Sequence, residues 1–158
     1  MTDDKATALR IVRDPNDAAD VIQETLAEVW KRLHKIDRDA NPHAYILCIC
    51  VSRAYDLLRR RARRRERESG AATERTAVPT AVSDPAVQVT AREQAEAIRH
   101  AVGLLPPKQG KAVLLRASQS LSYAAIACIL GCSEATARSH YSKGTARLRG
   151  ILAGLDLL

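Results

Sequence analysis

The residues whose types and spacing point to chemistry are crowded into residues 121–152, LSYAAIACILGCSEATARSHYSKGTARLRGIL. Ser122 can cap a short helix that buries Ile126, Ile129 and Leu130. Gly131 can end it, because glycine accepts a left-handed backbone at little cost. Ser133 can cap a second helix by offering its hydroxyl to the unpaired N–H groups of the first turn. Ala137, Tyr141, Gly144 and Leu148 then fall on one face, at spacings of four, three and four. The remaining surface carries Thr136, Arg138, Ser139, His140, Ser142, Lys143 and Arg147. These side chains hydrogen-bond to base edges and phosphates, so the chemistry is recognition of a polyanion and not bond making. One packed face and one Arg/Lys/Ser/Thr face after a glycine turn suits a major-groove reader.

The plainer alternative is a helical hairpin with a solvated basic face. Charge argues for the reader. From Arg99 to Arg149 there are eight Lys/Arg and one acid, Glu134. So one-sided a surface repels itself unless a polyanion compensates it. The whole chain of 158 residues carries net charge +7, with a pI near 9.6.

No catalytic site is expected. The chain has no metal constellation, no phosphate-cradling glycine loop and no nucleophile–base pairing, so neither an enzyme nor a cofactor is predicted. Cys48, Cys50, Cys128 and Cys132 form no C-x-x-C pair, and no histidine sits at zinc-ligand spacing. They read as small core hydrophobes, with a regulatory redox switch or disulfide left open. No segment reaches the roughly 18 uncharged apolar residues that span a bilayer, and residues 1–10 lack an apolar signal core. A cytoplasmic protein without membrane insertion is expected.

Phe is absent and aromatic residues make up 3%, so the core must come from Leu, Ile, Val and Ala, which suits small helical units. Asp14-Pro15-Asn16-Asp17 marks a helix start, and Ile22, Leu26, Val29 and Leu33 predict its buried stripe. Residues 34–41 read as a polar loop, and Asn41-Pro42 restarts helix. The uncharged run at 44–51, AYILCICV, predicts the centre of a bundle. It leads into seven arginines among the nine residues 59–67. Residues 69–83 are small, polar and aperiodic, as in a flexible linker. Asp84-Pro85 restarts helix through 102, Leu104-Leu105-Pro106-Pro107 stops it, and residues 108–117 form a further helix.

Four blocks in order, DAADVIQET at 17–25, LLRRRARR at 57–64, LPPKQ at 105–109 and SYAAIACILGCSEATARSHYSKGTARLR at 122–149, resemble bacterial RNA polymerase sigma factors of the extracytoplasmic-function group. The resemblance runs from about Ile11 almost to the end. It implies an all-α protein of two domains: a region 2-like bundle at 1–68, a linker at 69–83, and a region 4-like helix-turn-helix domain at 84–158. Core RNA polymerase and promoter DNA are the implied partners, with an anti-sigma factor as a further one. By the same resemblance, Asp20, Gln23, Glu24 and Glu28 would dock on the polymerase clamp. The loop at 35–41, with Arg38 and Asn41, would hold a flipped base of the minus-10 element. Ser52, Arg53, Asp56, Arg59 and Arg60 would follow the melted strand. Arg138, Ser139, Ser142 and Lys143 would meet the minus-35 element, with Thr136 beside them. His140, Arg147 and Arg149 would contact phosphates.

Three departures from the family pattern carry expectations. Only thirteen residues precede the Asp14-Pro15 turn, where the family has a whole helix, so the first bundle is expected to be truncated. The melting helix offers one aromatic, Tyr45, so strand capture by stacking should be weak. Ala125 stands where an acid is usual. Two other readings follow from these residues. A sigma mimic would sequester an anti-sigma factor without bringing polymerase to DNA, and a helix-turn-helix repressor would use the first domain to dimerise.

Overall fold

The computed structural model describes residues 2–35, 42–73 and 91–154. These form seven α-helices and one 3₁₀ turn, and no strand occurs among them. The helices are α1 (Thr2–Val12), α2 (Pro15–Lys31), α3 (Pro42–Thr73), α4 (Ala91–Leu104), α5 (Pro107–Gln119), α6 (Tyr123–Leu130) and α7 (Glu134–Ala153). The 3₁₀ turn, Leu33–Lys35, follows α2.

The helix starts follow local chemistry. The Asp14 carboxylate accepts the N–H groups of Asn16 and Asp17 at 2.8 and 3.0 Å, and Pro15 stands where no N–H is needed. Pro106 and Pro107 separate α4 from α5, with a proline opening the new helix. Where a truncated bundle was expected, residues 2–12 form α1, which packs on both α2 and α3 through Ala8, Ile11 and Val12.

The predicted stripe on α2 requires correction. Ala18, Val21 and Thr25 are buried, whereas Leu26 and Leu33 are 40% and 55% exposed. Small residues face inward because α1 and α3 both press on this helix. The inward Thr25 satisfies its hydroxyl by donating to the Val21 carbonyl at 2.7 Å. Leu33 falls off the period because the α-helix has already ended at Lys31.

α3 is the spine. At ~1.5 Å per residue its 32 residues span about 48 Å. As the uncharged run predicts, its first half is central: Leu47, Cys50, Val51, Ala54 and Leu58 are buried, and α3 touches α1, α2, α4, α5 and α6. It continues to Thr73, so the first residues of the stretch read as linker extend the arginine-rich helix. The regular part of α4 begins at Ala91. The rest of that stretch and the Asp84-Pro85 restart lie outside the described residues.

The two halves pack directly on each other. One apolar cluster runs from Ile11 and Val51 through Tyr55 and Leu58 to Leu115 and Ile126. α3 and α4 approach closely, so that a Cβ on Gly103 would lie 2.5 Å from the Leu58 carbonyl oxygen. Polar bonds stitch the same seam. Tyr55 donates its hydroxyl to the Leu105 carbonyl at 2.5 Å, and Arg10 donates to the Ser118 carbonyl at 2.7 Å. Arg65 pairs with Glu96 at 2.7 Å.

Candidate nucleic-acid interface

Both serine caps are made. The Ser122 hydroxyl accepts the Ala125 N–H and the Ser133 hydroxyl accepts the Thr136 N–H, each at 3.2 Å. Gly131 has φ +62°, the left-handed backbone that its position required. The turn therefore fixes α7 across α6. Ala137 and Gly144 are buried, and Tyr141 and Leu148 are half-buried, so the packed face is the one the spacing gave. Of the first helix's expected apolar set, Ile126 is fully buried, while Ile129 and Leu130 are half-buried.

On the other side of α7, Thr136, Arg138, Ser142, Lys143 and Arg147 are exposed, and Ser139 and His140 are half-buried. These are donors with few competing acids. The one acid nearby, Glu134, holds Arg138 at 3.1 Å. Arg138 also lies over the Tyr123 ring, 5.1 Å from its centroid, and Arg116 lies 4.9 Å from the same centroid. Tyr123 is thus clasped by two guanidinium groups, a cation–π arrangement worth about 0.5–1 kcal/mol at exposed sites. It was not among the residues expected to matter. Its place just after the Ser122 cap, four residues before the buried Ala127, was the available signal.

Along α3, Asp56 and Arg60 are exposed, whereas Ser52, Arg53 and Arg59 are half-buried. Arg53 is not free, because it bonds Glu28 on α2 at 3.1 Å. Arg59 lies beside the buried Tyr55. Burial pushes the Tyr55 hydroxyl up from its ordinary value, and the Arg59 charge pulls the other way. Arg38 and Asn41 lie outside the described residues.

The α2 residues divide. Asp20, Gln23 and Glu24 are exposed. Glu28 is occupied by Arg32 at 2.5 Å and Arg53 at 3.1 Å, so it braces α2 against α3. Beside the acidic row stands an apolar one that sequence reading missed. Trp30 is 78% exposed, with Leu26 one turn before it on α2 and Leu33, also exposed, in the 3₁₀ turn that follows the helix. Large apolar side chains grouped on a surface mark contact sites.

Of the four cysteines read as core hydrophobes, only Cys50 is buried; Cys48 and Cys132 are half-buried and Cys128 is exposed. All four are free thiols. Burial pushes Cys48 up, and Cys50 up to about 11, so both stay protonated and unreactive at neutral pH. No group of three or more potential metal ligands occurs among the described residues, and no described helix is long and apolar enough to cross a membrane.

Residues 5–64 match the family Sigma-70 region 2, and residues 95–148 match the family Sigma-70, region 4. The RNA polymerase sigma-E factor of Streptomyces coelicolor is 30% identical, over 96% of this chain and 80% of that protein. The ECF RNA polymerase sigma factor EcfG of Rhodopseudomonas palustris is 28% identical, over 94% of this chain and 78% of that protein. The sigma factor RpoE of Bartonella quintana, solved in complex with the anti-sigma factor NepR, shares the fold. Its TM-score is 0.54 at 23% identity, over 95% of this chain and 89% of that one. Two matched domains in the expected order, joined across the α3–α4 seam, place this chain in the sigma-70 family as an extracytoplasmic-function-type RNA polymerase sigma factor, a transcription initiation factor and not an enzyme.

Proposed function

We propose that the protein reads the minus-35 element with the outer face of α7, led by Arg138, Ser139, Ser142 and Lys143. His140, Arg147 and Arg149 serve as phosphate contacts, and Thr136 lies beside the readers. The supporting observation is that face itself: capped, rigidly crossed over α6, and bearing exposed donors with a single acid. Along the melted minus-10 strand, Ser52, Asp56, Arg59 and Arg60 are the reading's contacts, with Arg53 joining once Glu28 releases it. Polymerase docks on the Asp20, Gln23, Glu24 row together with Leu26 and Trp30. The domain limits 1–68 and 84–158, and a cytoplasmic site of action beside polymerase and DNA, belong to the same reading.

The packed form is the resting state in this proposal. The two promoter elements are named about 25 positions apart, or about 85 Å at 3.4 Å per base pair. A compact chain of 158 residues has a radius of gyration of only about 15 Å. The seventeen residues between α3 and α4 can reach about 56–61 Å when extended. Separation of the two domains is therefore required for both elements to be read at once. An anti-sigma partner would act by holding them together.

Run-off transcription with purified core polymerase on genomic promoter fragments tests the proposal. Promoter-specific transcripts are expected. DNA binding without transcripts would make the protein a repressor. Binding to an anti-sigma factor with neither activity would make it a mimic.

A further inference from the structure

The seam between the domains is not completely filled. Where α1, α3, α4 and α5 meet there is a cavity of about 290 Å³. Its apolar wall comes from Ile11, Leu58, Ile98, Val102 and Leu114, and its polar edge from Arg10, Arg13 and Arg99. A wider hollow of about 550 Å³ shares Arg13 and Arg99 and adds Arg92 and Arg61, the latter already paired with Asp17 at 2.6 Å. The acids bordering that hollow are committed. Asp14 caps α2, and Glu96 is held by Arg99 at 2.5 Å and Arg65 at 2.7 Å. The Arg10 bond to Ser118 uses one of the five N–H donors that an arginine carries.

Arg13 is the residue that draws attention to this site. It sits just past α1 with φ +61°, where glycine or asparagine is the comfortable choice. Ser120 ends α5 in the same left-handed conformation, so the strain is the ordinary cost of stopping a helix without glycine. Here the strained backbone carries a guanidinium on the edge of an apolar cavity.

We propose that this cavity binds a small amphipathic anion, with an apolar tail against Leu58, Ile98 and Val102 and a carboxylate or phosphate head among Arg10, Arg13 and Arg99. The volume lies near the lower end of the roughly 300–1,000 Å³ usual for ligand pockets. A helix, about 10–12 Å across with its side chains, is too wide for it. Both domains build the walls: Ile11, Arg13 and Leu58 come from the region 2 match, and Ile98, Arg99 and Val102 from the region 4 match. The ligand therefore binds the packed form and not the separated one. At a free concentration one hundred times its Kd, it raises the packed-to-separated ratio about a hundredfold. This consequence rests on the packed form being the resting state; the binding itself does not.

The test uses the full chain with octanoate and octyl phosphate as probes, and octanol and octyltrimethylammonium as controls. Calorimetry reads binding and small-angle scattering reads compactness. One or both anions should bind one site, and which of them does identifies the head group. Two variants check the location. Arg13→Gly relieves the left-handed strain, so it should melt no lower than wild type while losing at least tenfold in anion affinity. Ala95→Leu fills the cavity without touching a charge and should lose a similar factor. Absence of anion binding, equal binding of the cation, or unchanged affinity in both variants would overturn the assignment. So would an acidic helical peptide that binds through Arg13 while neither small anion does. If the chain alone already scatters as an extended particle, the resting-state reading fails, yet anion-induced compaction in that sample would still uphold the site.

Discussion

The ring of Tyr55 on α3 fills the space that any side chain on Gly110 of α5 would need. Tyr55 is fully buried, and its hydroxyl reaches past Gly110 to the Leu105 carbonyl. The two domains are thus fitted to each other at a named contact and not merely laid side by side. Gly110→Leu should wedge this contact apart. Overpacking of this kind costs about 1–3 kcal/mol, and the strain falls on the seam more than on α5 itself. Scattering should show a larger particle with the helix content unchanged. A variant as compact as wild type would mean that the seam can repack around the leucine.

Removing only the Tyr55 hydroxyl is a smaller structural change. Tyr55→Phe keeps the ring and leaves the buried Leu105 carbonyl without that donor, at a cost of about 1–3 kcal/mol. The expected result is a lower Tm and a faster gain of DNA or polymerase binding, because the separated form is easier to reach. A lower Tm with slower polymerase binding would show that the packed form is the one that binds.

Core polymerase binding should depend on Glu24 and Trp30 but not through folding. Both side chains are exposed, so Glu24→Lys and Trp30→Ala should leave the unfolding free energy within about 0.5 kcal/mol of wild type, as surface changes usually do. Each should weaken capture of core polymerase. Glu28→Ala is the contrast. It frees Arg53 and Arg32 from their partner and should lower stability as well. Equal polymerase affinity in Glu24→Lys and wild type would remove α2 as the docking helix.

What the sequence displayed was governed by local rules. The caps at Ser122 and Ser133, the Gly131 turn and the uncharged run of α3 each follow from a few neighbouring residues, and each is found as expected. The α2 stripe failed because period alone does not tell which of two faces a crowded bundle wants. With α1 and α3 both pressing on it, α2 turned Ala18 and Thr25 inward and left Leu26 and Trp30 outside. The seam was hidden for a different reason. It depends on contacts between residues fifty apart, such as Tyr55 with Leu105. The one local hint was two glycines, Gly103 and Gly110, inside helical patterns, where a packing reason is usual.

The thiols should react in order of exposure. Cys128 is exposed and should be alkylated first. Cys50 is buried, with its thiol raised from 9.0 to about 11, so well below both values it holds about a hundredfold less thiolate than an ordinary cysteine. Mass spectrometry after timed iodoacetamide treatment at pH 8 reads the order. Cys50 labelling as fast as Cys128 in the folded chain would show that α3 is not the closed centre described here.

Promoter choice should distinguish the side chains of α7. Arg138 and Lys143 lie in its N-terminal half, the part of a recognition helix that meets base edges. Arg147 and Arg149 lie toward its C-terminal end. Losing a base contact costs about 1–3 kcal/mol and relaxes one position of the site. Losing a phosphate contact weakens every sequence alike and lowers the salt slope by about one unit. Arg138 carries an added condition, because in the DNA-free protein it rests on Tyr123 and Glu134. Arg138→Ala should therefore change which minus-35 sequence is preferred, and Glu134→Ala should tighten binding without changing that preference. Arg149→Ala should scale all affinities down together. A binding-selection profile of each variant at fixed salt, with wild type alongside, makes the comparison. If Arg138→Ala and Lys143→Ala both keep the wild-type preference, the wrong face of α7 has been placed in the groove. If Glu134→Ala binds no more tightly, Arg138 leaves its resting partners at no cost, and Tyr123 serves packing alone.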